Sequence, residues 1–407
     1  MNILVLSLNY SPEPLGIGPY SAGTAEALAA AGHRVTVICG KPFYPDWQSV
    51  ENYRGGLWRT SRENGVTVIR CAHYIPDQPT GFRRIIHQLS FALSAIWPAL
   101  KVVWGKQRPR LVFAPVPSIM SAPVGYLCAK IASAHFWIHI QDFEVDAAIA
   151  TGLVKPASMA AKIAMWLEQK MLECADTVST ISGTMMEKAA NKGADPARIV
   201  EFRNWAEIDT IVPRSRDTIY RQAWNLGDRK VALYSGNIAH KQGIEIIVEA
   251  ARLLRGRADI VFVICGDGPN RKNLDRLAEG LPNIQLHPLQ PREQIGELLA
   301  TADICLLPQI AGAADLVLPS KLANILAAGR PVIATAKAGT GLAKEVGGAG
   351  AITPPGDVGA FARKVEDLLD DPDGLATMAA IARQRAEERW SRGELLGNFV
   401  KQVERAA

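Results

Sequence analysis

One loop–helix–strand stretch, Asp315–Ala336 (DLVLPSKLANILAAGRPVIATA), limits what this chain can fold into. Its pattern predicts a helix that begins near Pro319–Ser320, ends at Gly329 and is followed by a strand from Val332. Ser320 is a residue type that caps helix N-termini, and glycine suits the left-handed residue that ends a helix. A helix joined to a strand in this way indicates an α/β protein.

The start of this helix is a candidate anion site. Its first backbone N–H groups have no partner within the helix, and Lys321 adds a positive charge beside them. A phosphate group is the anion that such a site fits best. The alternative is a capped surface helix without a ligand, and this stretch by itself is compatible with both interpretations.

The length and composition of the chain indicate a globular protein of two domains. A single hydrophobic core rarely serves 407 residues, so two domains of about 200 residues each are expected. Hydrophobic residues make up 48% and charged residues 21% of the chain, which argues against wholesale disorder. The net charge of +5 does not require nucleic acid as a partner, and it fits phosphorylated ligands or an anionic lipid surface.

The cysteines and the N-terminus favour a cytoplasmic protein. None of the six cysteines forms a close pair with metal-ligand spacing, and most lie in apolar runs, so buried free thiols are expected. The N-terminal MNILVLSLNY lacks the basic region and the long apolar region of a secretion signal. We therefore interpret it as a strand.

The segment Ile85–Trp104 (IIHQLSFALSAIWPALKVVW) is apolar and has basic residues on both sides. Polar residues and Pro98 interrupt it, so it is a poor candidate for a transmembrane span. It can be a helix packed on the sheet, or a helix in a membrane interface with its basic flanks on anionic headgroups, and the two are not exclusive. The flanking residues are Arg83, Arg84, Lys106, Arg108 and Arg110.

The N-terminal third of the chain predicts a βαβ unit with a glycine pair in its first crossover. A strand at Asn2–Ser7 is followed by a loop with Gly16 and Gly18, a helix that ends near Ala31 and a strand at Arg34–Cys39. The glycines allow a ligand to approach the backbone closely. They do not complete a dinucleotide fingerprint, and the acidic residue expected after the second strand is missing.

Two further segments of this half are candidate parts of a site. The stretch Lys41–Gly56 is polar, aromatic and rich in turns, which predicts a long loop at the mouth of a site. The strand Phe136–Ile140 ends in polar residues, at the sheet edge where open α/β proteins carry ligands. Asp142, Glu144 and Asp146 are therefore candidate site residues, although each can equally cap the helix that follows.

The pattern of strands and turns restarts after Asn204–Arg229, where we place the domain boundary. The strand Lys230–Ser235 leads into Gly236–Asn237 and a helix that begins near Gly243. A second strand, Ile260–Cys265, leads into the tight turn Gly-Asp-Gly-Pro. Together with the opening stretch, these elements predict a second doubly wound domain, so that the chain contains two Rossmann-like domains in tandem.

The order of these motifs resembles glycosyltransferase family 4, whose fold is GT-B. The resemblance rests on GIGPY, GHRVTVI, YSGN with KQG, GDGP, ADICLLP and PSKLANILAAGRPVIA, and it covers nearly the whole chain. FYPDW and IQDFEVDAA are similar to bacterial exopolysaccharide enzymes of the colanic-acid type. It implies an acceptor-binding domain at 1–205, a nucleotide-sugar-binding domain at 206–385 facing it across a cleft, and a helix at 386–407 that packs back on the N-terminal domain.

The resemblance implies a reaction as well. The family transfers a sugar from a nucleoside-diphosphate sugar, here expected to carry UDP or GDP, with retention of anomeric configuration and usually without a metal or other cofactor. A lipid-linked glycan acceptor at the cytoplasmic face of the cell membrane is expected for the colanic-acid type. The Asp371–Pro372–Asp373 sequence lies in a turn after a helix, so we interpret it as turn chemistry and not as a metal clamp.

Roles for single residues follow from the same resemblance. Asp142 would orient the acceptor or stabilise the transition state, and Lys241 would be the cation beside the donor diphosphate. The residues implied to bind donor or acceptor are Gly16, Gly18, Asn237, Gly243, Gly266, Asp267, Gly268, Asp315, Ser320, Lys321, Leu322 and Asn324.

The chain departs from the family pattern at four polar positions. Leu316 and Asn324 stand where the family has two glutamates, and Asn237 and Gln242 stand where it has a phosphate-binding arginine and lysine. Asn324 can still hydrogen bond a ribose hydroxyl, without the strength of a carboxylate. Two alternatives stay open: a nucleotide-sugar epimerase, because the same two-domain fold hosts that chemistry, and a non-catalytic partner subunit, which these departures suggest. A dehydrogenase is disfavoured by the incomplete dinucleotide fingerprint.

Overall fold

The computed structural model describes residues 1–14, 16–116, 119–146, 158–206, 208–239, 242–310 and 319–407. The chain divides into two compact units. The first contains Met1–Arg203 and Gly393–Ala407, and the second contains Asn204–Arg392. Each unit is a parallel-sheet α/β domain, and the prediction of two Rossmann-like domains is confirmed.

The first unit is built on one eight-stranded sheet with the strand order β3-β4-β2-β1-β5-β6-β7-β8. All neighbouring strands are parallel except β3 and β4, which are antiparallel. The strands are β1 (Asn2–Ser7), β2 (Arg34–Gly40), β3 (Trp58–Glu63), β4 (Val66–Cys71), β5 (Leu111–Val116), β6 (His135–Ile140), β7 (Thr177–Thr180) and β8 (Ile199–Glu201).

Helices connect these strands. Those described in the first half of the chain are α1 (Gly18–Ala30), α2 (Gly81–Trp104), α3 (Ala122–Ala132), α4 (Met159–Cys174) and α5 (Gly183–Asn191). The inner strands are buried on both faces, as helices on either side of a parallel sheet require. The sequence predicted these inner strands well, because continuous apolar runs such as LVFAPV have no place except between two layers of helices.

Strand β3 was not predicted. Its sequence, Trp58–Glu63 (WRTSRE), is mostly exposed and carries no apolar run, so it lacks the pattern by which a buried strand is recognised. It forms because it pairs along its whole length with β4, which follows it through the turn at Asn64–Gly65. Backbone hydrogen bonding to β4, and not burial of side chains, stabilises β3 as an edge strand.

The apolar segment with basic flanks forms a single helix, α2, which packs on β2 and β4 and against α3. Buried residues of α2, such as Phe91 and Ala95, face this core. Large apolar residues on its other side are exposed at spacings of three, four or seven positions; they are Phe82, Ile86, Leu89, Leu93, Trp97 and Trp104. Among the described residues, α2 is the one helix with the length and apolar composition of a membrane span, and a third of its most apolar window is buried.

The second unit is built on a six-stranded, wholly parallel sheet with the order β11-β10-β9-β12-β13-β14. Successive residues of β9 point to opposite faces of the sheet and belong to two separate apolar cores: Leu233 lies in one and Tyr234 in the other. The strands are β9 (Lys230–Ser235), β10 (Ile260–Cys265), β11 (Ile284–His287), β12 (Ile304–Leu307), β13 (Val332–Thr335) and β14 (Gly350–Thr353).

The helices of the later half complete both units. Among the described residues, eight helices lie in the second unit: α6 (Ile219–Ala223), α7 (Glu245–Leu253), α8 (Arg271–Ala278), α9 (Ile295–Ala300), α10 (Ser320–Ala327), α11 (Gly341–Val346), α12 (Val358–Leu369) and α13 (Pro372–Trp390). A last helix, α14 (Arg392–Ala406), follows.

The ends of α10 test the first prediction of the sequence in detail. Gly329 has φ 61°, so the left-handed stop is confirmed. The expected cap is wrong, because Ser320 is the first helical residue and Pro319 stands in the N-cap position without a side-chain cap. Asp371 does serve as an N-cap: it accepts a hydrogen bond from Gly374 N at 2.9 Å at the start of α13. The Asp-Pro-Asp sequence is therefore helix-capping chemistry.

The cysteines are free thiols, as predicted. Cys39, Cys71, Cys128, Cys265 and Cys305 are buried, and Cys174 is half-buried. Burial raises the pKa of the Cys128 thiol to about 11, so this side chain behaves as a small apolar group.

Helix α14 adds an aromatic side chain to the core of the first unit. The Phe399 ring stacks on that of Phe202, with 4.2 Å between ring centroids, and lies 5.2 Å from Phe113 and 5.3 Å from Trp137. Phe399 is buried. The last residues of the chain are thus part of the core that β5, β6 and β8 build.

We expect Phe399→Ala to lower the free energy of unfolding of the first unit by about 3–5 kcal/mol, because it leaves a cavity among three aromatic rings. Chemical denaturation followed by tryptophan fluorescence measures this change. Lys401→Ala, at an exposed position of the same helix, is the matched control and should change stability by less than about 0.5 kcal/mol. Equal effects of the two substitutions would show that α14 does not stabilise this core.

Candidate functional site

Two glycine turns at the carboxyl ends of β9 and β10 lie in direct backbone contact. A Cβ atom placed on Gly266 would lie 1.9 Å from the carbonyl oxygen of Gly236. A Cβ atom on Gly268, whose φ is +152°, would lie 2.4 Å from the carbonyl oxygen of Ile238. The approach is possible only because these residues lack side chains. Neighbouring strand ends thus present bare backbone at the sheet edge where α/β proteins bind ligands.

Hydrogen bonds tie the two turns together. Ile238 N donates to the Asp267 carbonyl at 2.8 Å, and Asn270 N donates to the Ile238 carbonyl at 3.1 Å. The Asp267 carboxylate accepts from Gly268 N at 2.7 Å, which stabilises the turn itself. The predicted set of Asn237, Asp267 and the two glycines around it therefore forms one structural group.

Lys321, at the start of α10, reaches this group. Its Nζ donates a hydrogen bond to the Tyr234 hydroxyl at 2.8 Å and lies 4.4 Å from the centroid of that ring. The hydroxyl in turn donates to the Asn237 carbonyl at 2.6 Å. A Cβ atom on Gly236 would lie 2.2 Å from Lys321 Nζ, so the ammonium group rests against the first glycine turn.

Tyr234 is the link that the sequence did not reveal. Burial raises the pKa of its hydroxyl above the ordinary value, so the group stays protonated and keeps its donor. It is read from the sequence as one more apolar residue of a buried strand. Its function as the support of Lys321 is visible only when α10 is placed beside β9.

The remaining predicted residues of this half lie in different surroundings. Gly243 has φ +59° and packs against Ile310, with 3.1 Å between an added Cβ and the Ile310 side chain. The Leu322 side chain is buried in the core, so only its backbone belongs to the helix start. Asn324 is half-buried one turn further along α10. Of the other candidates, Lys241 and Asp315 lie outside the described residues, and so does Leu316.

In the first unit, the loop after β1 is built around Glu13. Its Oε1 accepts hydrogen bonds from the backbone N–H groups of Phe43 and Tyr44 at 3.0 and 3.1 Å, and its Oε2 accepts one from Asn9 Nδ2 at 2.8 Å. Glu13 is buried, and burial raises its pKa. A Cβ atom on Gly18 would lie 3.1 Å from Glu13 Cβ.

Glu13 is thus the residue that joins the glycine loop to the aromatic loop after β2. The signal in the sequence was slight: Glu13 is the one charged residue of NYSPEPLGIGPYS. A single charge in a loop is usually solvated, so nothing marked it as buried. Gly16 has φ +69°, and a Cβ atom placed on it would lie 3.5 Å from the Tyr44 ring.

The acidic residues after β6 have separate roles. Asp146 pairs with Lys188 at 2.6 Å and Lys192 at 3.1 Å, and these lysines lower its pKa below the ordinary value although partial burial opposes them. Asp146 is therefore a structural ion-pair residue. Asp142 and Glu144 precede it, at the carboxyl end of β6. In the sheet, β6 is separated from β1 by β5 alone, so Asp142 and the glycine loop occupy the same edge.

His139 is buried in strand β6. Its Nδ1 lies 2.9 Å from the Ser179 hydroxyl, which also accepts a hydrogen bond from Trp137 Nε1 at 2.8 Å. Burial lowers the pKa of His139 to about 3, so the ring is neutral at physiological pH. It is a core residue, and it is not available as a proton carrier.

Two family models match the chain, one over each half. The Glycosyl transferase 4-like domain matches residues 16–205, and Glycosyl transferases group 1 matches residues 216–387. The chain is 38% identical over 414 residues to the putative colanic acid biosynthesis glycosyl transferase WcaI of Escherichia coli (strain K12). That match covers 99% of this chain and 100% of the relative.

Solved glycosyltransferase structures share the fold. Anabaena Alr3699/HepE in complex with UDP-glucose matches with a TM-score of 0.69 at 16% identity over 99% of both chains. WaaG, a glycosyltransferase involved in lipopolysaccharide biosynthesis, matches with a TM-score of 0.66 at 17% identity over 98% of this chain and 99% of its own. At these identities the likeness shows the fold, which is GT-B. The full-length relative and the two domain matches show more: this chain belongs to the glycosyltransferase family, with the 4-like domain followed by the group 1 domain.

Proposed function

We propose that this glycosyltransferase moves a sugar from a nucleoside-diphosphate sugar to a lipid-linked glycan acceptor in the biosynthesis of a bacterial extracellular polysaccharide, with retention of configuration. One observation carries the donor side: Lys321 Nζ is held by Tyr234 against the Gly236 turn, at the edge of a parallel sheet. The relationship to the colanic acid enzyme over the full chain supports the polysaccharide. The donor would carry UDP or GDP.

The donor diphosphate would bind between the glycine turns and the start of α10. The bare backbone at Gly236 and Gly266 would let phosphate oxygens approach, and N–H groups at the start of α10 would donate to them. Lys321 would offset the charge that develops on the leaving diphosphate, and Lys241 would be the second cation. We propose that no metal or other cofactor takes part, since these groups supply the charge.

Asn324 replaces a carboxylate of the family pattern, and in this proposal it holds a ribose hydroxyl through its amide. The Asp267 turn would face the nucleoside. Asp315 would contact the donor sugar. The acceptor would lie at the other sheet, with Asp142 orienting its hydroxyl and the Gly16–Gly18 loop beneath it. The leaving phosphate itself would take the proton of that hydroxyl, so the chain needs no separate nucleophile.

A lipid-linked acceptor requires the enzyme to work at a membrane, and α2 suits that purpose. Its exposed apolar stripe includes Phe82, 72% exposed, and Leu93, 68% exposed. Such residues, flanked by Arg83 and Arg84 at one end and by exposed basic residues after the other, match the headgroup boundary of an anionic bilayer. We propose a cytoplasmic protein that binds the inner face of the cell membrane peripherally through α2.

The donor proposal predicts that Lys321→Met lowers affinity for the preferred nucleotide sugar at least about tenfold, the loss expected when a hydrogen bond to a charged group is removed. Thermal shift across UDP, GDP, ADP and their sugars identifies the preferred base, because a ligand that binds the folded state raises its melting temperature. Lys344→Met, at an exposed lysine of the same unit, is the control. Unchanged affinity in the Lys321 variant would contradict the donor site.

The nucleotide sugar identified in this way is then used to test the reaction. Incubation with a lipid-linked acceptor should give a product whose anomeric configuration, read from proton coupling constants, is that of the donor. Incubation without acceptor should leave the donor sugar unchanged. An epimerised donor would overturn the transferase proposal, and so would tight nucleotide binding with no transfer to any acceptor in a panel.

The membrane proposal predicts that the purified protein sediments with vesicles of phosphatidylglycerol and that Leu93→Glu combined with Trp97→Glu abolishes this binding, because each places a charge in the apolar stripe. Neutralising Arg83, Arg84, Lys106 and Arg108 should release the protein as well. Leu289→Glu, at an apolar residue of the second unit that is 61% exposed, is the control and should bind as the wild type does. Full binding by the α2 variants would contradict the proposal.

A further inference from the structure

Glu144, the first helical residue after the loop that carries Asp142, connects that loop to helix α2. Its Oε2 accepts a hydrogen bond from Gln88 Nε2 at 2.7 Å, a contact between side chains 56 positions apart in the chain. Gln88 lies on the side of α2 that faces the unit, next to the buried His87. The loop after β6 is thus attached to α2 by a neutral amide donor.

The two lysines near this loop pair with other carboxylates. Lys188 and Lys192 both pair with Asp146, and Lys192 also pairs with Glu168 of α4. Both ammonium groups lie over the Phe143 ring, at 5.0 and 5.3 Å from its centroid. These lysines therefore face the Asp146 side of the loop.

The charges that act on Glu144 are correspondingly unfavourable to its ionised form. Burial is the largest effect, and the negative charges of Asp142 and Glu168 add to it; the Gln88 hydrogen bond and the charge of Arg84 oppose it. Together, these effects raise the pKa of Glu144 to about 7. A carboxyl with these neighbours keeps its proton where most glutamates have lost theirs.

We propose that Glu144 is a positioning residue that works as a neutral carboxylic acid: it holds the Asp142 loop on α2 and keeps a second negative charge away from Asp142. The inference rests on the proposed function in so far as the acceptor binds at Asp142. Loss of the proton would place two carboxylates two residues apart where, in the proposed function, the acceptor binds. Like charges at that spacing repel each other.

The stability of the protein should report this proton without any substrate. A group whose pKa is raised on folding contributes stability below the unfolded pKa, and that contribution is lost as the pH rises through the folded pKa. For Glu144 the loss spans from about pH 4.5 to about pH 7. The variant Glu144→Gln keeps a neutral side chain of the same shape at every pH and has no such dependence.

The test is therefore the melting temperature of wild type and Glu144→Gln, measured from pH 5 to pH 8. The difference, wild type minus variant, should fall by about 5 °C as the pH rises. Glu187→Gln, at an exposed glutamate of α5, is the matched control and should give a constant difference. A constant difference for Glu144→Gln as well would overturn the proposal. This measurement needs no donor or acceptor, so it stands even if the proposed reaction is not found.

Activity gives the second measurement, which a purely structural residue would not affect in this way. Wild-type kcat/KM should fall as the pH rises through about 7, whereas that of Glu144→Gln should stay flat. Gln88→Leu removes the N–H that favours the ionised form, so it should move the wild-type fall to higher pH. Parallel pH profiles for wild type and Glu144→Gln, or an unmoved profile in Gln88→Leu, would contradict the proposal.

Discussion

The contact between the backbone turns at Gly236 and Gly266 is the constraint on which the rest of the second unit's site depends. It leaves no room for a side chain on Gly266, a Cβ atom on Gly236 would meet the Lys321 side chain, and the contact brings the ends of β9 and β10 into one surface. Lys321 is held on that surface through Tyr234, so the charge at the start of α10 is fixed relative to the turns. A diphosphate needs such an arrangement, since its oxygens must reach backbone N–H groups and a cation together.

In the first unit, buried or half-buried carboxyl groups fix the positions of the loops at the sheet edge. Two carboxyl groups join its segments: the buried Glu13 holds the glycine loop to the aromatic loop, and the half-buried Glu144 holds the Asp142 loop to α2. Each carboxyl accepts neutral N–H donors, and burial raises the pKa of both. The helix that receives the Glu144 loop also exposes the apolar stripe proposed to meet the membrane. In the proposed function, this helix would bring the loop that carries Asp142 close to the membrane.

Much of the fold could be predicted because the parallel strands are apolar on both faces. Strands such as Ile260–Cys265 stand out in any α/β sequence, and the glycines that follow them mark the ligand edge. The polar edge strand β3 could not be predicted, since its strand conformation depends on pairing with β4. The cap of α10 was placed one residue too late for a related reason: Ser320 is a good cap by type, but the chain enters the helix at Pro319.

The sequence by itself determined the order of the main buried strands, the two domains, the family and the positions where backbone must be bare. Only the tertiary structure decided which side chains support them. Tyr234 and Lys321 are 87 positions apart, and Phe43 and Glu13 are 30 apart, yet each pair forms one hydrogen-bonded unit. Local pattern reports whether a residue is buried, through periodicity and composition. It does not report the partner of a buried polar group, because that partner is brought near by packing of distant elements, and hydrogen-bond satisfaction is decided there.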